Sequence, residues 1–460
     1  MADFESFRKE FKGDIVTPAD AGYVEAIERW AHNAVRRAAI VAFVKDPQDV
    51  VTALKYARAA KLPLAIRGGG HSASGASSSE GGLVIDLSRY INGATVDAEK
   101  KLAYVGGGAV WKTVDLAAIK HGLATVGGTV NHTGVGGLIV GGGYGWLSSQ
   151  YGLAIDNLAT VVVADGRILT ASDTENSDLF WGIRGGGSNF GVVTEFVLKL
   201  YPQRSTVYFG PLIFPPPMIP QIGVALDDWW NATKAGVGES VLGMLTRAPD
   251  GNPVAVVSLF YNGTAEEGRK HFKAFFDLKP IADLSKEIPF EELNAATNHM
   301  AIPGLNYYMT GTPLSSKLSN DFTIEHLEKT VALSEKGGIE TAILFEWWPN
   351  RQINSVAPDA TPYRRNLNAN SLIIVTWKEE SQELAERAKQ AAASIKSFMP
   401  EGQGYGNYNI TLQDEGPQQS GPTAGKAHGL FGEYYPRLQA VKKEYDPDVI
   451  FNKWFPITPA

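Results

Sequence analysis

Cysteine is absent from the 460 residues. That one absence excludes disulfides, thiolate metal sites, iron–sulfur clusters and cysteine nucleophiles. Positive charge is not in excess either: 42 Lys+Arg against 49 Asp+Glu leave a net charge of −7. No long basic run or arginine cluster interleaved with aromatics occurs, so nucleic acid is not an expected partner. No apolar run is long enough to span a bilayer, and the start MADFESFRKEFKGD lacks an apolar core. Neither a transmembrane helix nor a signal peptide is expected, and a cytoplasmic location follows as the expectation. The sequons at Asn131, Asn231, Asn262 and Asn409 therefore carry no weight. Also missing are Gly-Lys-Ser/Thr, His-Glu-x-x-His and Gly-x-Ser-x-Gly, so phosphate-loop, zincin and hydrolase chemistry are not expected, and no metal is.

What is present is ordinary except for glycine. Hydrophobic residues at 44% and charged residues at 20% are globular values, and a chain of this size buries roughly three quarters of its extended surface. Length suggests roughly two or three domains. Between Gly68 and Gly191 there are 27 glycines in 124 residues, while the remaining 336 residues hold 22. Glycine in regular structure is less stable than alanine by about 0.5–1 kcal/mol, so a use beyond ordinary turns is indicated.

The apolar run Ala39 to Val44 reads as a strand, and Asp46-Pro47 as the cap of a helix through Val50, Val51, Leu54 and Ala57. Pro63 to Ile66 is a strand that runs through Arg67 into Gly68-Gly69-Gly70-His71, and Leu83 to Leu87 is another strand. A hairpin spans Ala94 to Val105, and a second triglycine, Gly106 to Gly108, precedes a helix from Trp111 to Lys120. The stretch Gly127 to Gly152 holds the third triglycine, Gly141 to Gly143, and Gly185 to Gly187 is the fourth. After Pro202 the texture changes, with Pro215-Pro216-Pro217 and Pro220 read as a boundary. Strands then alternate with helices (Glu325 to Lys336, Glu380 to Phe398), and a last helix runs from Tyr434 to Tyr445.

A Rossmann fingerprint requires a βαβ unit near the N-terminus with an acidic residue about 20 residues on, and neither Gly141-Gly142-Gly143-Tyr144-Gly145 nor Gly185 to Gly191 has that context. A cofactor threaded between several loops, its pyrophosphate met by backbone N–H groups in place of cations, accounts for glycine spread over more than a hundred residues.

Several motifs occur together and in order: Arg67-Gly68-Gly69-Gly70-His71-Ser72, the loop Gly128 to Gly145, Leu179-Phe180-Trp181 with Arg184 to Gly187, Asn189 to Thr194, and Tyr445-Asp446-Pro447 with Phe451-Asn452. This set resembles the FAD-linked oxidases of the vanillyl-alcohol oxidase/p-cresol methylhydroxylase superfamily, in the branch of berberine bridge enzyme and 6-hydroxy-D-nicotine oxidase. The resemblance covers the whole chain. It implies an α+β fold with a two-subdomain FAD-binding (PCMH-type) domain over 1–205 and a substrate domain over 206–400, an antiparallel sheet flanked by helices. A C-terminal return to the first domain over 401–460 completes it. The cofactor positions it implies are Arg67, Gly68, Gly69, Gly70, His71, Ser72, Gly128, Thr129, Val130, Gly134, Gly136, Gly137, Gly141, Gly142, Gly143, Asn157, Val193 and Asn407.

His71 stands where family members join an imidazole covalently to the flavin 8α-methyl group, and His132 lies in the second glycine loop near the ring. The second tether of many members, a cysteine in Gly-Thr-Cys, reads Gly128-Thr129-Val130 here, so at most one linkage is possible. Gly128 matches a position where a small residue accompanies oxygen access, which favours O2 as electron acceptor. Tyr408, in Gly404-Tyr405-Gly406-Asn407-Tyr408, resembles the family's tyrosine base. Period-2 alternation over Thr341 to Trp348 puts Ala342, Leu344, Glu346 and Trp348 on one face. Glu346 is thus a second candidate base, similar in place to an acidic active-site position in 6-hydroxy-D-nicotine oxidase. Trp377, on the strand from Leu372, is expected to wall the substrate pocket. The expected function is oxidation of a small organic alcohol or amine; the alternative is a tailoring or cyclising flavoprotein of secondary metabolism in which the flavin cycles internally.

Overall fold

The computed structural model describes residues 3–335, 337–365, 368–402, 404–408 and 423–460; Asn409 and Lys336 lie outside them. The first strands form a four-stranded sheet in which Ile40–Phe43 and Leu64–Arg67 flank Leu83–Asp86 in parallel, with Asp14–Val16 added antiparallel at one edge. Ile40–Phe43 and Leu83–Asp86 are buried along their whole length, which is why Ile40–Phe43 and Leu83–Ile85 are apolar throughout. The connecting helix Pro47–Ala60 starts where Asp46 accepts from the Asp49 N–H, and it buries Val50, Ala53, Leu54 and Ala57.

A second, five-stranded antiparallel sheet follows, in the order Ala94–Asp97, Leu102–Gly106, Val192–Lys199, Leu158–Ala164, Ile168–Ser172. A further, larger sheet has eight strands. The chain enters it at Thr206–Phe214, ahead of the proline run. Pro215 to Pro217 mark no boundary: they open the turn into helix Ile219–Ala232, because proline suits a helix's first turn. From Glu239–Arg247 the sheet continues through Glu340–Trp347 and Asn370–Trp377 to the edge strand Asn306–Pro313, all antiparallel.

Helices Ile219–Ala232, Ile324–Ser334 and Gln382–Lys396 bury one face of the large sheet, where Val241, Leu245, Ile343, Phe345, Ile373, Val375 and Trp377 point. The alternate residues Leu242, Leu344, Glu346, Leu372 and Ile374 face the first two sheets across a cleft.

The tail is locked to the first part of the chain. The buried Lys442 ammonium donates to the Asn189 carbonyl at 2.7 Å, the Phe451 carbonyl at 2.7 Å and the Asp446 carboxylate at 2.6 Å. Asp446 accepts in turn from the Ile450 and Phe451 N–H groups, and Asn189 accepts from the Ile457 N–H. The Asn189 and Asp446 motifs are therefore two halves of one clasp. Among the described residues no helix is long and apolar enough to cross a membrane.

Candidate active site

The cleft between the glycine loops and the large sheet encloses about 2000 Å³ of space, its mouth included.

One wall is backbone. Strand Leu64–Arg67 delivers Gly68 to Ser72 to the cleft, where Gly107, Gly128, Gly134, Gly136, Gly137, Gly187 and Gly191 also line it. These loops need glycine first because they interlock. A Cβ on Gly69 would stand 2.5 Å from the Gly134 Cα, one on Gly68 2.8 Å from the Gly107 carbonyl oxygen, and one on Gly136 2.9 Å from the same oxygen. Gly137 differs: a Cβ there meets nothing within 4 Å, because it projects into the cleft itself.

The ring stack Tyr307–Trp30–His71 crosses from the large sheet to the first glycine loop, with centroid separations of 3.9 and 4.2 Å. The Trp30 indole N–H is fixed on the Ala301 carbonyl at 3.0 Å. His71 Nε2 meets His132 Nδ1 at 3.2 Å. Burial, then the neighbouring His132, pulls the His71 pKa down to about 3, so its imidazole is neutral at physiological pH and keeps a nucleophilic lone pair. Burial lowers His132 as well.

The opposite wall is the sheet face. Here Tyr408 donates its hydroxyl to Glu346 Oε1 at 2.6 Å, and Glu346 Oε2 has no hydrogen-bond partner among the described residues. Burial raises Glu346 to about 7, against the opposing pull of the Tyr408 hydrogen bond. Burial and the adjacent carboxylate raise the Tyr408 phenol well above its ordinary value. Tyr405 lies edge-on to Tyr408 and accepts from the Gly143 N–H at 3.0 Å and from Asn407 Nδ2 at 2.8 Å. Tyr363 donates to Tyr144 at 2.9 Å.

Of the residues singled out in the sequence, Gly68, Gly69, Gly70, His71, Ser72, Gly128, Thr129, Val130, Gly134, Gly136, Gly137, Val193, Glu346, Asn407 and Tyr408 line this cleft. Six do not. Arg67 turns under the loop to pair with buried Asp86 at 2.9 Å. Gly141 and Gly142 are bare because Asn407 and Tyr363 press on them, and Gly143 serves Tyr405; these three follow the far end of helix Val135–Val140. Asn157 is a loop clamp, donating to the Tyr151 and Leu153 carbonyls. Trp377 sits in the helix-covered core, because its odd parity puts it on the face opposite Leu372 and Ile374. Sequence reading missed Trp30, Tyr144 and Tyr405, and it missed Leu372 and Ile374, which strand parity counted from Glu346 through its cross-strand partner Asn370 would have supplied.

A family model described as FAD binding domain matches residues 38–172, and one described as berberine and berberine like matches residues 408–456. FAD-linked oxidoreductase pgmH of Aspergillus terreus is 33% identical over 100% of this chain and 96% of its own length. This chain belongs to the berberine bridge enzyme-like FAD-linked oxidoreductases. Among members of the family, (R)-6-hydroxynicotine oxidase of Paenarthrobacter nicotinovorans is 28% identical over 97% of each chain. The crystal structure of 6-hydroxy-D-nicotine oxidase from Arthrobacter nicotinovorans superimposes with a TM-score of 0.85 at 26% identity over 98% of both chains. Xylooligosaccharide oxidase of Myceliophthora thermophila shares the fold, with a TM-score of 0.82 at 20% identity over 100% of both chains.

The residues of the cleft fit FAD. No Lys or Arg is among the described residues lining it, so an anionic pyrophosphate would rely on backbone N–H groups and hydroxyls. Ser77 lines the same wall with a buried Oγ that has no hydrogen-bond partner among the described residues. Gly68 to Gly70, Gly134 to Gly137, Gly187 and Val193 would hold the cofactor. The chain is an FAD-linked oxidoreductase.

Proposed function

We propose that this enzyme is an oxidase: it removes hydrogen from a carbon bearing a hydroxyl or amine, and O2 is the final acceptor, leaving as H2O2. FAD when bound supplies the two-electron acceptor. Glu346 takes the proton of the substrate hydroxyl or amine at its unpartnered Oε2, while Tyr408 holds Oε1 and keeps the carboxylate oriented. Tyr408 itself remains a phenol, since losing its proton beside an ionised Glu346 would put two negative charges in a buried site.

The observation that carries this reading is the buried Glu346–Tyr408 pair at the edge of an otherwise apolar wall facing the cofactor loops. A carboxyl whose pKa lies near operating pH is well matched to general-base work. We further propose that His71 tethers the flavin, supported by its neutral ring and its place in the first glycine loop; without cysteine no second tether exists. The small Gly128 on the cleft wall and the oxidase names among the relatives support O2 as acceptor.

The test is an anaerobic reduction by substrate followed by admission of air. Rapid reoxidation with one H2O2 released per substrate consumed is expected. Slow reoxidation in air, with fast transfer to a quinone dye, would make the enzyme a dehydrogenase.

A further inference from the structure

The sheet face over the cofactor site carries a contiguous aliphatic patch. Register places Met309 directly across from Ile374, Leu372 across from Leu344, and Leu242 across from Glu346. All six of these residues line the cleft, and Met300 adds to the apolar surface from the neighbouring turn.

Polar groups on this side are few. The Tyr408 hydroxyl is held by Glu346, Tyr405 accepts from Gly143 and Asn407, and Tyr144 accepts from Tyr363. Glu346 Oε2 is the carboxylate oxygen left buried and without a hydrogen-bond partner among the described residues. A ligand with many hydroxyls would desolvate them against Leu, Ile and Met without partners, losing a factor of about 5 to 150 in affinity for each. A carboxylate would find no cation on the lining and Glu346 to repel it. Met300 and Met309 adapt to rings and irregular apolar shapes.

We infer that the substrate is an apolar, ring-bearing molecule, uncharged or cationic, with a single hydroxyl or amine on the carbon that is oxidised, and neither a sugar nor a hydroxy acid. The inference rests on the oxidase reading above. The reaction removes the C–H hydrogen with its electron pair and the O–H or N–H proton. Glu346 takes the proton and the product is a C=O or C=N compound; FAD when bound would supply the acceptor of the hydride, and O2 would leave as H2O2 with that electron pair, the hydride's hydrogen and the proton released by Glu346.

The test uses the yellow holoprotein. Dithionite reduction and reoxidation in air with peroxide release are measured first, so a failure of the oxidase reading shows before any substrate is added. The protein is then mixed anaerobically with hydroaromatic and benzylic alcohols and cyclic benzylic amines, and separately with mono- and oligosaccharides and 2-hydroxy acids. Flavin bleaching or a saturable spectral shift is expected with members of the first group alone, and Leu372→Asn is expected to weaken it about tenfold or more. Bleaching by any sugar or hydroxy acid overturns the inference, as does a flavin that responds to no member of the apolar group.

Discussion

A Glu346→Gln enzyme is expected to reduce its flavin about 10²–10⁴-fold more slowly than the native protein under anaerobic mixing with substrate, the range that loss of a positioned general base costs. The side chain keeps its size and can still accept from the Tyr408 hydroxyl, now 2.6 Å from the carboxylate oxygen, so binding should change little and the loss should fall on the rate constant. The pH dependence follows with a definite sign. Burial places Glu346 at about 7, and only its ionised form accepts a proton, so the native rate should climb as pH rises through about 7. The Glu346→Gln variant should lack that limb. In a Tyr408→Phe variant the hydrogen bond that lowers Glu346 is gone, so the limb should move to higher pH. Stopped-flow absorbance across pH checks all three proteins. Native rates in the Glu346→Gln protein, beside a Tyr408→Phe protein that has lost them, would assign the base to Tyr408.

The second large effect concerns two glycines on the same cleft. Gly69→Ala is expected to give a protein with little bound flavin and a thermal midpoint lowered by several degrees. The new Cβ falls 2.5 and 2.6 Å from the Gly134 Cα and N, main-chain atoms that move only if the loop moves. Overpacking of that kind costs typically about 1–3 kcal/mol or more. Gly137→Ala meets nothing within 4 Å, so its midpoint should match the native apoprotein while FAD binding weakens. Flavin absorbance per chain, with melting curves on both variants, separates the two roles. A Gly69→Ala protein with native flavin content and midpoint would show that the loops do not interlock as described.

These glycines also show how far the sequence could be read. Their clustering pointed to a cofactor threaded through loops, and the loops do meet at one cleft. What it did not reveal is that Gly69 and Gly134 are bare for each other's sake, and Gly68 and Gly136 for the Gly107 carbonyl, since backbone approach between segments far apart in the chain has no local signature. For the same reason Gly141 to Gly143 looked like cofactor contacts and prove to be the seat of Tyr363, Tyr405 and Asn407.

Local chemistry was legible wherever the rule was local. Asp46-Pro47 starts its helix, and the alternation that put Leu344 and Glu346 on one face matches the cleft lining. Trp377 failed because it was chosen by residue type. Parity carries it to the helix side with Ile373 and Val375, while the unassuming Leu372 and Ile374 form the wall. The Trp30 stack joins residues from distant parts of the chain and could come only from the fold.

The tether at His71 can be measured without knowing the substrate. The purified yellow protein is precipitated with acid, and the pellet and supernatant are read for flavin, with a His71→Ala protein alongside. A covalent link predicts that the native pellet stays yellow and that its flavin maps to the peptide containing His71, while the His71→Ala protein releases its flavin to the supernatant. Flavin washing out of the native pellet as freely as from the variant would contradict it.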